Sequence, residues 1–123
     1  MPKEYPRSQR VADQIQRELA MIIQREIKDP RVHMVSITGV EVTRDLAHAH
    51  VFVTTLDDAH RDDVVEALNH AAGFLRHELS GRMRMRSIPD LKFSYDESIE
   101  RGMQMDKLLD ELVHPADDEP KGD

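Results

Sequence analysis

Residues 62–83 read DDVVEALNHAAGFLRHELSGRM. Val64, Leu68, Ala71/Ala72, Leu75, Leu79 and Met83 recur at the spacing of one helix face. Ala71-Ala72-Gly73 interrupts the pattern at its centre. A glycine inside a helix costs roughly 1 kcal/mol relative to alanine, and its missing Cβ lets the backbone bend or another backbone approach. By itself the stretch reads either as one helix with a tolerated glycine or as two helices meeting at a small-residue kink; the order of the surrounding elements favours the kink, with Ala71 and Gly73 as its residues and Gly73 permitting close packing.

On the N-terminal side the pattern has period two. Ala47-His48-Ala49-His50-Val51-Phe52-Val53 alternates as one arm of a hairpin, after a turn at Arg44-Asp45-Leu46. In the other arm Val35 and Ile37 share one face, but past Thr38-Gly39 the apolar parity moves to Val40 and Val42. A one-residue slip reverses the buried face, so the strand is either covered on both faces or carries a β-bulge permitted by Gly39; the bulge is preferred. Ala49, Val51 and Val53 are expected to face the helices, with His48, His50 and Phe52 on the open side.

Before the hairpin, Val11, Ile15, Leu19, Ile22/Ile23 and Ile27 mark a core-facing helix. Ser8 is its expected N-cap, Lys28 suits its C-terminal dipole, and Asp29-Pro30 is its expected stop. After the kinked pair, Ser80-Gly81 ends the second helix, and Leu91, Phe93 and Tyr95 line one face of a third strand. Ile99, Met103, Leu108/Leu109 and Leu112 suggest a last helix. The expected organisation is a flexible arm at 1–7, one domain at 8–113, and a disordered acidic tail at 114–123, where two prolines and dense charge discourage packing. The order is α-β-β-α-α-β plus a trailing helix, an α+β domain with helices on one face of a three-stranded mixed sheet.

Composition narrows the function classes. The 123 residues suit a single domain, and with no cysteine there is neither disulfide nor thiolate chemistry. No apolar run approaches the ~20 residues that cross a bilayer, and the first residues lack the apolar core of a secretion signal. A cytoplasmic monomer without a membrane partner is expected.

The net charge of −7 argues at first sight against nucleic acid. From Asp96 onward, however, there are ten acidic and three basic residues, whereas 1–95 carries fourteen of each. All the excess negative charge belongs to the C-terminal segment. Residues 72–92 hold five basic and two acidic side chains, among them the alternation Arg82-Met83-Arg84-Met85-Arg86. Guanidiniums so placed bind phosphates bidentately; the structural alternative is a solvated edge with both methionines turned inward. Lys28, Arg31, Arg76, Arg82, Arg84 and Arg86, helped by Arg7 and Arg10, are the expected phosphate contacts. The aromatic residues fall mostly at apparent core positions, so recognition would lean on phosphates and shape rather than stacking.

Enzyme constellations are weak. His48-x-His50, or His70 with His77, would each put two imidazoles on one face, with no third or fourth ligand at suitable spacing. No P-loop, dinucleotide fingerprint or nucleophile elbow is present. No catalytic centre, metal, cofactor or small-molecule substrate is expected.

Five segments then sharpen the reading: Arg10-Val11; Lys28-Asp29-Pro30-Arg31-Val32; Val40-x-Val42-x-x-Asp45-Leu46-x-x-Ala49-x-Val51-x-Val53; Ala71-Ala72-Gly73-Phe74-Leu75-Arg76; and Arg86-x-x-Pro89-x-Leu91-x-Phe93-x-x-Asp96. In this order and spacing, over about residues 5–113, the chain resembles the ribosome-binding factor A family, bacterial small-subunit assembly factors with a type II KH-like domain. The resemblance implies an Ala-x-Gly kink, here Ala71-Ala72-Gly73, in place of the G-x-x-G clamp of ordinary KH domains. No G-x-x-G occurs in the chain, so clamping of about four nucleotides is not expected. It implies a non-enzymatic factor that docks on the immature 30S subunit, contacts its 16S rRNA, and assists late assembly and 5′-end processing. The rival readings are a protein-binding adaptor acting through the acidic C-terminal helix and tail, and a small metal-dependent enzyme using the histidines.

Overall fold

The computed structural model describes residues 6–29, 32, 34–56, 58–98 and 112. Its elements are α1 (Arg7–Glu26), β1 (Val35–Val42), β2 (His48–Thr55), a short 3₁₀ turn (Asp58–His60), α2 (Arg61–His70), α3 (Ala72–Ser80) and β3 (Asp90–Tyr95). The sheet order is β1-β2-β3, with β1 antiparallel and β3 parallel to β2. The connection from β2 to β3 runs through α2 and α3, as a parallel pair requires. The fold is the expected α+β arrangement, type II KH-like in its order.

Helix α1 starts two residues earlier than the expected cap implies. Pro6 stands at the N-cap and its carbonyl accepts the amides of Gln9 at 3.0 Å and Arg10 at 3.1 Å; no side chain caps the helix. Ser8 therefore lies inside the first turn, and Arg7 belongs to the domain rather than to an arm. A proline loses nothing there, since the first amides of a helix have no partner anyway. The helix ends at Glu26, where Ile27 becomes extended (φ −87°, ψ 120°), three residues ahead of Pro30. Lys28 thus follows the helix, and Arg25 is the basic residue of its last turn. Pro30 and Arg31, the expected stop and one expected contact, lie outside the described residues, as do residues 99–111, where the last helix is expected.

The bulge in β1 is present. Ile37 pairs with Val53 and Gly39 with Phe52, so Thr38 is the extra residue. Val35, Ile37, Val40 and Val42 consequently all pack toward the helices. Gly39 itself has room for a side chain and no left-handed φ, so the bulge does not depend on glycine. On β2, Ala49, Val51 and Val53 are buried under the helices while His48 is exposed and His50 and Phe52 half-buried on the open face.

One core joins the layers. Ile15, Leu19 and Ile22 of α1, Val64 and Leu68 of α2, and Leu75 and Leu79 of α3 are fully or almost fully buried against Val51, Val53 and Phe93. Full burial of such side chains is worth about 1.5–3 kcal/mol each, which makes this face the main source of stability.

The break between α2 and α3 falls at Ala71 (φ −91°, ψ 5°), whose amide is shared between the carbonyls of Ala67 at 3.0 Å and Leu68 at 3.1 Å. Gly73 lies in the first turn of α3, exposed, and a Cβ added to it would meet nothing within 4 Å. The expectation that Gly73 lets two elements pack closely is corrected: Ala71 makes the kink, and Gly73 faces solvent.

A candidate nucleic-acid interface

The loop between α3 and β3 carries the arginine alternation and is pinned at both ends. Met83 is buried, Met85 packs against the core, and Ile88 and Pro89 are buried. The methionines therefore anchor the segment, as the structural alternative has it, and the arginines point outward. Arg82 does not reach solvent freely: its Nη1 donates to Glu18 Oε1 of α1 at 3.2 Å, both side chains being half-buried. Arg76 donates its Nε to the Ile88 carbonyl at 2.8 Å and lies 3.6 Å from the Asp90 carboxylate. Arg76 and Arg82 thus fasten the loop, while Arg84 and Arg86 stand exposed without an ion-pair partner among the described residues.

Helix α1 supplies a second set of cations. At about 100° per residue, Arg7, Arg10, Arg17 and Arg25 fall within an arc of about 80° and extend over about 27 Å of helix. All four are exposed, and none has an ion-pair partner among the described residues. Arg17 and Arg25 were missed in the sequence, although Arg17 stands seven residues after Arg10 and therefore on nearly the same line. Glu18 borders this stripe, so the contact from Arg82 brings the arginine loop alongside α1.

Lys28 is placed differently. It lines a groove of about 620 Å³ between the end of α1 and the kink, together with Ile27, Ala67, His70, Ala71 and Phe74. Glu26, Asp29 and Glu66 line the same groove, and three carboxylates around one ammonium make it poorly suited to phosphate. The expectation that the aromatic residues are mostly core is also corrected. Among the described aromatics only Phe93 is buried; Phe74 is 43% exposed on the outer side of α3, and Phe52 stacks on His50 on the open face with ring centroids 4.2 Å apart. Phe74 follows Ala72-Gly73 and precedes Leu75, so the helix turns it away when Leu75 turns in.

Among the described residues the histidines do not converge. His50 Nε2 is 2.6 Å from Ser94 Oγ, and among the described residues no group of three or more His, Asp or Glu could hold a metal ion. No helix among the described residues is long and apolar enough to cross a membrane.

The domain is thus of the KH-like class, with a kink where a clamp would stand and an arginine-bearing helix beside a pinned arginine loop. A family model described as Ribosome-binding factor A matches residues 7–109, and the chain belongs to that family. Ribosome-binding factor A of Nitrosomonas europaea is 59% identical over 117 residues, covering 94% of this chain and 100% of that protein. That of Pseudomonas paraeruginosa is 55% identical over 126 residues, covering 100% and 97%. Among solved structures, the crystal structure of ribosome-binding factor A from Thermus thermophilus superposes with a TM-score of 0.67 at 28% identity, over 72% of this chain and 93% of that one. A Thermus thermophilus homology model fitted into the cryo-EM map of a 30S–RbfA complex gives a TM-score of 0.59 at 29% identity, over 70% and 91%.

Proposed function

We propose that this chain is a ribosome-maturation factor that binds the immature 30S subunit and its 16S rRNA, acting in the cytoplasm as a monomer and without catalysing a reaction. It assists late assembly and processing of the rRNA 5′ end. The reading is carried by the arginine stripe of α1, exposed over about 27 Å beside Arg84 and Arg86, a geometry suited to the phosphates of structured RNA. Family membership and the relative fitted into a 30S complex support the choice of the small subunit as the partner. Within this surface Arg7, Arg10, Arg17, Arg25, Arg84 and Arg86 contact phosphate directly, while Arg76 and Arg82 hold the loop in place.

Sedimentation tests the proposal. The protein is expected to travel with free small subunits, more strongly with immature ones, and to be released by salt. Replacing Arg10, Arg17, Arg84 and Arg86 together by Gln is expected to abolish this while leaving the circular dichroism spectrum unchanged. Normal binding of that variant, with binding lost on removal of residues 114–123, would favour the adaptor reading instead.

A further inference from the structure

We infer that the acidic C-terminal segment of this same chain, residues 110–123, lies on the arginine stripe of α1 when no nucleic acid is bound, and that RNA must displace it. The competition half of this inference rests on the function proposed above; the contact itself does not.

Two observations lead to it. The first is charge. Residues 110–123 hold six acidic side chains (Asp110, Glu111, Asp117, Asp118, Glu119 and Asp123) against one basic one, Lys121. Arg7, Arg10, Arg17 and Arg25 present four exposed guanidiniums with no ion-pair partner among the described residues. The other exposed arginines of the proposed surface, Arg84 and Arg86, number only two.

The second is where the chain leaves the sheet. The Asp96 amide donates to the Val53 carbonyl at 2.7 Å, the Thr38 hydroxyl at the bulge donates to the Asp96 carboxylate, and the Ser98 amide donates to Asp96 Oδ1 at 2.8 Å. Ser98 and Gln9, the latter in the first turn of α1, line one groove of about 600 Å³. The departure point therefore lies near the first turn of α1, the turn that also carries Arg7 and Arg10. From Ser98 to Asp110 the chain spans ~18 Å if helical and ~40 Å if extended. Either length lets the acids reach the stripe. Tethering makes the contact intramolecular, at an effective concentration in the millimolar range for a short flexible link, so individually weak ion pairs suffice to populate it.

The test compares the full chain with a variant of equal length carrying Asp110→Asn, Glu111→Gln, Asp117→Asn, Asp118→Asn and Glu119→Gln. In the absence of nucleic acid, NMR signals of the α1 backbone and of the Arg7, Arg10, Arg17 and Arg25 Nε–H groups should differ between the two proteins at about 50 mM salt and converge near 0.5 M, where the Debye length shrinks to a few ångströms. A structured RNA hairpin should bind the variant roughly three- to tenfold more tightly at low salt, because a few screened surface pairs are lost. Unchanged α1 signals, or changes confined to Arg84, Arg86 or the open sheet face, would overturn the contact whatever the RNA result. Shifted α1 signals with equal RNA affinity would overturn the competition. If the hairpin does not bind either protein, the contact is still decided by the NMR arm and the proposed function is what fails.

Discussion

Asn69 on α2 closes two hydrogen bonds on the main chain of Phe93: its Nδ2 donates to the Phe93 carbonyl at 2.9 Å, and its Oδ1 accepts the Phe93 amide at 2.8 Å. In a strand paired on one side only, alternate residues turn both main-chain groups to the free edge. The Asn69 amide acts there as a one-residue substitute for a neighbouring strand, and so covers an edge that would otherwise invite pairing. It also ties the helix before the kink to the strand after it. Replacing Asn69 by Leu is expected to lower stability by about 1–2 kcal/mol, the cost of leaving two backbone groups poorly satisfied. Denaturant midpoints measure it, and faster exchange of the Phe93 amide distinguishes loss of this contact from a general effect.

Gly73→Ala is expected to stabilise the protein by about 0.5–1 kcal/mol, because α3 gains helix propensity and the new methyl group meets no atom within 4 Å. A lowered thermal midpoint would mean that Gly73 has a packing role after all.

Leu46 adopts a left-handed backbone (φ 62°) in the hairpin turn while packing against the core. That conformation costs a residue with a Cβ about 1–2 kcal/mol. Leu46→Ala and Leu46→Gly remove the same contacts, but only the glycine variant relieves the strain. Leu46→Gly is therefore expected to be more stable than Leu46→Ala by about 0.5–1 kcal/mol, after allowing for the greater freedom of unfolded glycine. Urea unfolding of the pair gives the difference.

Asp45 in the same turn accepts the Thr43 hydroxyl at 2.7 Å and the Ala47 amide at 3.0 Å. These bonds favour the ionised form and hold its carboxyl below the ordinary value of 3.8. A depressed folded value means that the stabilisation is fully present above the unfolded value and is lost as pH falls through the folded one. The Asp45 carboxyl is expected to titrate by NMR below 3.8, with the Ala47 amide reporting the same transition. Asp45→Asn should remove that step without unfolding the hairpin, since an amide oxygen still accepts both bonds.

Arg84 and Arg86 should separate from Arg76 in their effects. Replacing either exposed arginine by Gln is expected to leave stability within about 0.5 kcal/mol and, on the proposed function, to reduce the salt dependence of small-subunit binding by roughly 0.7–0.9 of a log unit per lost contact. Arg76→Gln loses its hold on the Ile88 carbonyl and is expected to lower the thermal midpoint first, with binding falling as the loop loosens. Measuring affinity at several salt concentrations beside thermal unfolding resolves the two kinds of arginine.

The local alternations by themselves determined the element order, the bulge next to Gly39, the buried face of β2 and the division of charge between domain and C-terminal segment. These are written in short-range periodicity, because a helix buries every third or fourth residue and a strand every second. The position of the kink needed the fold: Ala71-Ala72-Gly73 offered three sites, and only the packing of Leu68 and Leu75 into one core put the break at Ala71. So did the identity of the free cations. Arg76, Arg82, Arg84 and Arg86 look alike along the chain, yet Glu18 on the distant α1 and the Ile88 carbonyl at the far end of the loop fasten two and leave two exposed. Whether a charged side chain is available for a partner depends on what stands within about 4 Å of it, and that distance is set by tertiary packing.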